Sequence, residues 1–95
     1  MIRAVVRIPR PEGATLEQAP ALFEGSAPKY RDLPGLLRKH YIFGGGMGGG
    51  VYFWDSREAA MRVYTPEWRT MIRERYGAEP QIEMFENPVS VINVG

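Results

Sequence analysis

The chain has 95 residues, of which 44% are hydrophobic and 12% aromatic, and 12 basic and 11 acidic residues give it a formal net charge of +1. This composition excludes a disordered segment, and the length predicts a single domain over residues 1–95. The near-zero charge argues against nucleic-acid binding through a general electrostatic field, and the absence of Cys excludes disulfides and thiolate metal sites.

The sequence shows no targeting or membrane signal. Its first ten residues lack the apolar core of a signal peptide, and no apolar run approaches the roughly 20 residues of a transmembrane helix. We therefore expect a cytoplasmic protein. Because a chain this short buries only a little over ~60% of its unfolded surface, we also expect it to cover apolar surface by forming a homodimer.

Hydrophobic periodicity and turn residues divide the chain into strands and helices. Stretches rich in Val, Ile and aromatic residues favour strands, and Thr15 with Gln18 has the spacing of a capping box. Pro20 removes a backbone donor from this first helix, which predicts a kink or a late start. The predicted elements are a strand at 3–8, a helix from Thr15 to Gly25, a helical turn at 27–31, strands at 36–43 and 51–54, two abutting helices from Asp55 to Tyr76, a strand at 81–85 and a short strand at 89–94. This order predicts an α+β, ferredoxin-like βαββαβ fold with an antiparallel sheet and a C-terminal extension.

Two start signals predict that the second helical region is divided. Asp55 is followed three residues later by Glu58, which predicts an N-cap at Asp55. Thr65 precedes Pro66, and this pair predicts a second helix start. Gly77 follows the last residue of the periodic pattern and predicts a left-handed C-cap.

The stretch 44–50 contains six glycines around Met47. It lies between two predicted strands rather than before a helix, so it matches neither a P-loop nor a dinucleotide-binding fingerprint. Because glycine tolerates positive φ, the stretch predicts a flexible hairpin or a pocket lid.

Three segments resemble the YdhR-like monooxygenases, a family of the dimeric α/β-barrel superfamily. They are LPGLLRKHYIF, GGGVYFWDSREAA and YTPEWRTMIRERYGAEP, within residues 33–80. The matching features are Pro34-Gly35, Lys39, Tyr41, Gly49-Gly50, Tyr52 and the helix start at Ser56. The resemblance implies a ferredoxin-like subunit whose sheet packs against that of a second copy to form a barrel. The superfamily includes cofactor-independent oxygenases of quinols and phenolic polyketides and some haem-binding proteins, but the resemblance supplies no catalytic motif to transfer.

His40 is the only histidine of the chain, and histidine is the side chain best suited to proton transfer near neutral pH. We predict that it is a catalytic base that deprotonates a phenolic substrate; a strand residue at a backbone carbonyl or a dimer seam is the alternative. Lys39, also predicted as catalytic, and Arg38 flank it and could hold a substrate enolate or carboxylate. Solvated or interface-paired cations are the alternative for both.

Aromatic side chains could line a pocket for a small aromatic molecule, since such pockets combine flat apolar area with few polar groups. Core packing is the alternative for each of them. The predicted substrate-binding residues are Arg38, Tyr41, Tyr52, Trp54, Tyr64 and Trp68. With one His, no Cys and no acidic cluster at ligand spacing, we predict neither a metal site nor a cofactor.

The leading predicted function is a cofactor-independent, monooxygenase-like homodimer that oxidises or binds a small quinol or phenol. A non-catalytic ligand-binding or structural homodimer is the alternative. An RNA-recognition module would use Tyr52, Phe53 and Trp54 as a stacking platform, but the chain lacks the basic lead-in and the positive face of such modules. The expected partners are a second copy and a small aromatic molecule, with no nucleic acid and no membrane.

Overall fold

The computed structural model describes residues 1–9, 13 and 15–93. The strands are β1 (Ile2–Pro9), β2 (Leu36–Gly44), β3 (Met47–Trp54) and β4 (Gln81–Glu86), and the helices are α1 (Ala19–Glu24), α2 (Ala27–Tyr30), α3 (Arg57–Val63) and α4 (Pro66–Tyr76). The strands form one sheet in the order β2-β3-β1-β4, and all neighbours are antiparallel. The predicted α+β, ferredoxin-like fold is confirmed. Its pairing into a dimeric barrel stays a prediction.

The core lies between the helices and one face of the sheet, which we call the inner face. Side chains alternate between the two faces of a strand, and every second residue of the central strands β1 and β3 is buried. The buried core cluster consists of Ile2, Ala4, Val6, Ile8, Tyr52, Trp54, Ala59, Ala60, Tyr64, Trp68 and Ile72. The opposite face, which carries Val5, Val51 and Phe53, is the outer face. No helix in the described part of the chain is long and apolar enough to span a membrane.

The first helix begins later than its capping box. The Thr15 N–H donates to Gln18 Oε1 at 3.2 Å, and the Gln18 N–H donates to Thr15 Oγ1 at 3.3 Å. Residues 16–18 nevertheless form turns, and the regular helix starts at Ala19 with Pro20 in its first turn. Proline is tolerated there because the first amides of a helix have no partner within it, so the predicted late start is confirmed.

Ser56, and not Asp55 as predicted, caps α3. Its Oγ accepts a hydrogen bond from the Ala59 N–H at 3.1 Å, and the helix begins at Arg57. Asp55 and Ser56 both have side chains that commonly cap helices. The capping-box spacing from Asp55 to Glu58 led to the prediction of Asp55, which is wrong.

The predicted caps of α4 are confirmed. Thr65 Oγ1 accepts from the Trp68 N–H at 3.2 Å. At the other end Gly77 has a φ of 80°, the left-handed conformation that ends the helix.

Only part of the glycine-rich stretch forms the hairpin. Gly44 pairs with Met47, and Gly45–Gly46 between them have φ of 58° and 77°, as in a type I′ turn. The remaining glycines belong to β3, which starts at Met47 rather than at residue 51, so the predicted flexible lid is wrong for them. A side chain at Gly49 would collide with the Val6 carbonyl oxygen, and glycine therefore allows β1 to approach.

The predicted C-terminal strand at 89–94 is wrong for residues 89–93, which have no regular secondary structure. Val94 lies outside the described residues. The segment is held near its start, where the Asn87 N–H donates to the Met1 carbonyl at 3.0 Å. Val89, Val91 and Ile92 are 77%, 86% and 88% exposed, so apolar content alone did not create a strand.

Candidate functional site

A β-bulge in β2 decides which side chains of this strand face the helices. Leu36 pairs with Trp54 of β3. Three residues later Lys39 pairs with Tyr52, which like Trp54 is buried, so the register shifts between Leu36 and Arg38. In an unbroken strand Leu36 and Lys39 would lie on opposite faces, and the bulge places both on the inner face.

The Lys39 ammonium group lies against three tyrosine rings. Its Nζ is 3.4 Å from the ring centroid of Tyr30, 4.0 Å from that of Tyr41 and 4.5 Å from that of Tyr52. The three rings come from α2, β2 and β3. Aromatic faces attract cations, so these rings together hold the amine in place. We call Lys39, Tyr30, Tyr41 and Tyr52 the Lys39–tyrosine cluster.

Burial lowers the pKa of Lys39 from 10.5 to about 7, because loss of water disfavours the charged amine. The tyrosine faces offset part of this penalty. No acidic side chain of the described residues pairs with Lys39; their ion pairs are Arg7–Glu83, Arg57–Glu86 and Arg73–Glu79. A large fraction of the amine is therefore neutral near pH 7, where it can accept a proton or act as a nucleophile.

Hydrogen bonds and ring stacking fix the orientation of the tyrosines. The Tyr41 hydroxyl lies 2.7 Å from Ser26 Oγ, and the Trp68 indole N–H donates to the Tyr30 hydroxyl at 3.1 Å. Phe23 stacks on Tyr41 with ring centroids 4.7 Å apart. Residues of α1, the α1–α2 connection and α4 thus support the cluster from the helix side.

Two tyrosines of the cluster stay neutral in the range where Lys39 titrates. Burial raises the pKa of Tyr52, and burial likewise raises the pKa of Tyr41, where the hydrogen bond with Ser26 opposes the shift. Neither Tyr41 nor Tyr52 therefore ionises at a pH at which the Lys39 amine gains or loses its proton.

A small cavity lies between the cluster and the helices. Its volume is about 20 Å³, which is room for about one water molecule. The lining cations are Lys29, Lys39 and Arg75, and no acidic side chain of the described residues lines it. Aromatic walls with this charge suit a neutral or anionic aromatic guest better than a cationic one.

A larger groove of about 360 Å³ adjoins the cavity. Tyr30, Lys39 and Tyr41 line both spaces, so they form the wall between them. Arg31 and Arg38 border the groove and make it positive, with Asp32 as its acidic lining residue. Lys39 therefore lines the groove as well as the small cavity.

The structure brings together part of the predicted site. Lys39, Tyr41, Tyr52 and Trp68 all line the cavity. Trp54 and Tyr64 lie in the core instead, where the Trp54 indole N–H donates to the Tyr64 hydroxyl at 3.1 Å. For these two residues the structure agrees with the core-packing alternative.

His40 and Arg38 lie on the outer face, because the alternation that turns Lys39 inward turns its neighbours outward. His40 is exposed, and its ring centroid is 5.8 Å from that of Phe53. The Arg38 guanidinium is 5.9 Å from the same phenyl ring, and the Arg3 guanidinium is 4.4 Å from it. The catalytic role of His40 and the substrate contact of Arg38 stay predictions.

Tyr30 was missed as a site residue. The sequence indicated a helical turn around Pro28, but a helix of one turn has no periodicity to show which side chain faces the sheet. The available signal was the presence of one aromatic residue, Tyr30, in this short turn.

Among the residues the structure describes, no group of three or more His, Cys, Asp or Glu side chains could hold a metal ion.

Three solved structures share the architecture of this chain. The ActVA-Orf6 monooxygenase of Streptomyces coelicolor, in complex with nanaomycin D, has a TM-score of 0.69 at 18% identity and covers 98% of this chain and 92% of its own. SnoaB, a cofactor-independent oxygenase from Streptomyces nogalater, has a TM-score of 0.68 at 12% identity and covers 97% of both chains. A mutant of MhuD with two manganese protoporphyrin IX molecules bound per active site has a TM-score of 0.68 at 22% identity and covers 98% of this chain and 100% of its own.

The chain has the fold of these proteins. At such identities the likeness concerns the fold alone, and the YdhR-like resemblance stays a prediction at the level of the family. No protein-family model matches the sequence, and no curated protein matches it in sequence.

Proposed function

We propose that this chain binds a small phenolic or quinol-type molecule between its helices and the inner face of the sheet, and that Lys39 is the base for its cofactor-independent oxygenation. The observation that carries the proposal is the Lys39–tyrosine cluster, a desolvated amine with a pKa of about 7 in an aromatic setting. The choice of substrate is supported by the shared fold of a cofactor-independent oxygenase and of a monooxygenase that binds nanaomycin D.

In the proposed reaction the neutral Lys39 amine accepts the phenolic proton. The ammonium that results lies beside the phenolate and stabilises its charge. Deprotonation raises the electron density of the ring, which then reacts with O₂. One oxygen atom enters the substrate and the other leaves as water, and the substrate supplies the electrons.

The substrate needs more room than a cavity of about 20 Å³ provides. Tyr30 stands between this cavity and the groove of about 360 Å³, so an outward movement of its ring would join the two spaces. We propose that the substrate ring then takes the place of Tyr30 against Lys39, Tyr41 and Tyr52.

Oxygen-dependent turnover of hydroquinones by Lys39 variants tests the proposal. Lys39→Met should lower kcat by about 100-fold or more, since a positioned base contributes roughly 10²–10⁴. Lys39→Arg should lose turnover as well, because arginine keeps the charge but does not give up its proton.

His40→Ala is the matched control in the adjacent position of the same strand. Because His40 lies on the outer face, we expect its removal to leave turnover unchanged. Full activity of Lys39→Met, with loss of activity in His40→Ala, would overturn the proposal and return the base to the histidine predicted from the sequence.

A non-catalytic ligand-binding or structural homodimer is the second candidate function. The small volume of the cavity favours a structural homodimer, because room for one water is not room for an aromatic ring. Thermal-shift measurements separate the candidates, since a ligand that binds the folded state raises the melting temperature. If no phenol, quinol, flavin or haem raises it, the structural candidate is favoured.

We further propose that two copies associate through the outer face. Val5, Ile42, Val51 and Phe53 are half-buried there although no described helix covers them, and Phe85 is 49% exposed. A thin core gains from covering such a surface.

A further inference from the structure

Lys39 has the surroundings of a nucleophilic amine as well as of a base. Burial lowers its pKa to about 7, no carboxylate of the described residues holds it as an ammonium ion, and it borders open space in the groove. Amines of this kind add to carbonyl carbon atoms, because the neutral form carries the reactive lone pair.

We propose that Lys39 forms an imine with a small aromatic aldehyde or ketone that carries an acidic group. The Nζ lone pair attacks the carbonyl carbon and forms the C–N bond. The carbonyl oxygen then leaves as water with the two protons that the amine gives up. No oxidant or reductant takes part, so this reactivity stands apart from the oxygenation proposed above.

The cluster supplies the contact for the aromatic part of the ligand. Tyr30 and Tyr41 line the groove beside Lys39, and ring–ring packing favours an aromatic carbonyl compound over an aliphatic one. The carbonyl carbon of a ring stacked there would stand next to the amine.

The groove supplies the contact for the acidic part. Arg31 lines the groove but not the cavity, and it takes part in no ion pair of the described chain. The Arg38 guanidinium lies instead on the outer face, near Phe53. A guanidinium group binds a carboxylate or phosphate through two parallel hydrogen bonds. Asp32 stands nearby and disfavours a ligand with more than modest negative charge.

Reductive trapping with 4-formylbenzoate and cyanoborohydride at pH 7 tests the proposal, because reduction turns the imine into a permanent adduct. The chain has two lysines, Lys29 and Lys39, so peptide mass spectrometry assigns each adduct and separates it from the N-terminal amine. A lysine with the ordinary pKa of about 10.4 is neutral in only about one molecule in 2,500 at this pH. We expect Lys39 to be labelled at least about tenfold faster than Lys29.

Matched variants make the outcome decisive. Lys29→Arg should leave the labelling unchanged, and Lys39→Arg should abolish the adduct on the strand peptide. The variant Arg31→Gln should remove the preference for 4-formylbenzoate over benzaldehyde, which carries no acidic group. Circular dichroism of each variant confirms that it is folded.

Equal labelling of Lys29 and Lys39 in the folded protein would overturn the imine-forming role. Equal labelling of Lys39 by both aldehydes in the wild type would contradict the proposal that the ligand carries an acidic group. Trapping is carried out without oxygen, so its failure would not affect the turnover test of the proposed function. Failure of the turnover test would likewise not affect the trapping result.

Discussion

Gly50 makes room for the Lys39–tyrosine cluster by having no side chain. A Cβ at this position would lie 3.1 Å from Lys39 Cε and 3.1 Å from Tyr52 Cε1, closer than ordinary van der Waals contact. Gly50 is buried in β3 and pairs with Tyr41 of β2. The Lys39 side chain and the Tyr52 ring therefore pack against the backbone of Gly50.

Gly50→Ala should displace Lys39 or Tyr52 and lower the free energy of unfolding by about 1–3 kcal/mol, the usual cost of overpacking a core. Gly44→Ala is the control, because nothing lies within 4 Å of a Cβ at that position. Urea denaturation compares the two variants. Equal stability would show that the space at Gly50 is not needed.

At the residue scale the sequence named residues that the structure brings together, but it did not show which face of β2 each side chain occupies. Lys39, Tyr41 and Tyr52 were predicted as site residues, and they do lie together. The sequence favoured His40 over Lys39 because histidine titrates near neutrality wherever it lies. Lysine does so only when it loses water. For Lys39 that depends on a bulge, which has no pattern in the sequence, and on Tyr30, for which the only signal was an aromatic residue in a short helical turn.

Among the elements, α4 supports the Lys39–tyrosine cluster through its first turn. Its first turn carries Trp68, whose indole N–H donates to the hydroxyl of Tyr30. Thr65 caps this turn by accepting from the Trp68 N–H. The cap and the ring that covers Lys39 are therefore connected through one residue.

Thr65→Ala should lower the free energy of unfolding by about 1 kcal/mol, because it leaves a first-turn amide of α4 without its acceptor. Thr70→Ala makes the same chemical change inside the helix, where the hydroxyl donates to the Pro66 carbonyl at 3.0 Å. Alanine is the better helix former, so this control should not lose stability. Thermal or urea denaturation measures both, and an equal loss would contradict the capping role.

Elements with strong local signals could be predicted, and those shaped by their neighbours could not. The Thr65-Pro66 start and the Gly77 end of α4 were correct because each signal acts within one turn. The first half of β3 was missed because glycine has low strand propensity, and pairing with both β1 and β2 keeps it extended. For residues 89–93 a strand was predicted where none forms, because an apolar run becomes a strand only when it pairs with a neighbouring strand.

At the scale of the whole molecule, the outer face predicts association. Phe85 lies there opposite Arg3 of β1, whereas Met61 lies on α3 and is equally exposed, at 49% for each. A charge placed in the proposed dimer interface is costly because it loses water on association.

Phe85→Lys should therefore shift the protein toward monomers, and Met61→Lys should not. Sedimentation velocity at micromolar concentration measures the mass of both variants and of the wild type. A folded wild-type monomer, or equal effects of the two substitutions, would contradict association through the outer face.

The order of strands and helices was enough to predict the fold of the whole molecule. Periodicity and turn residues define that order, and few antiparallel arrangements accommodate βαββαβ. The position of α1 and α2 over the sheet was out of reach, because their short segments carry little periodic pattern. That position creates both the cavity and the environment of Lys39.

The most direct test of the role proposed for Lys39 is an NMR titration of its amine. Selective ¹³C labelling gives one side-chain signal for each of the two lysines, and Lys29→Arg identifies the signal of Lys39. We predict a midpoint near pH 7, in agreement with a pKa of about 7. A midpoint at the ordinary lysine pKa of about 10.4 would show that Lys39 is a solvated cation, and both the proposed base and the proposed imine chemistry would be contradicted.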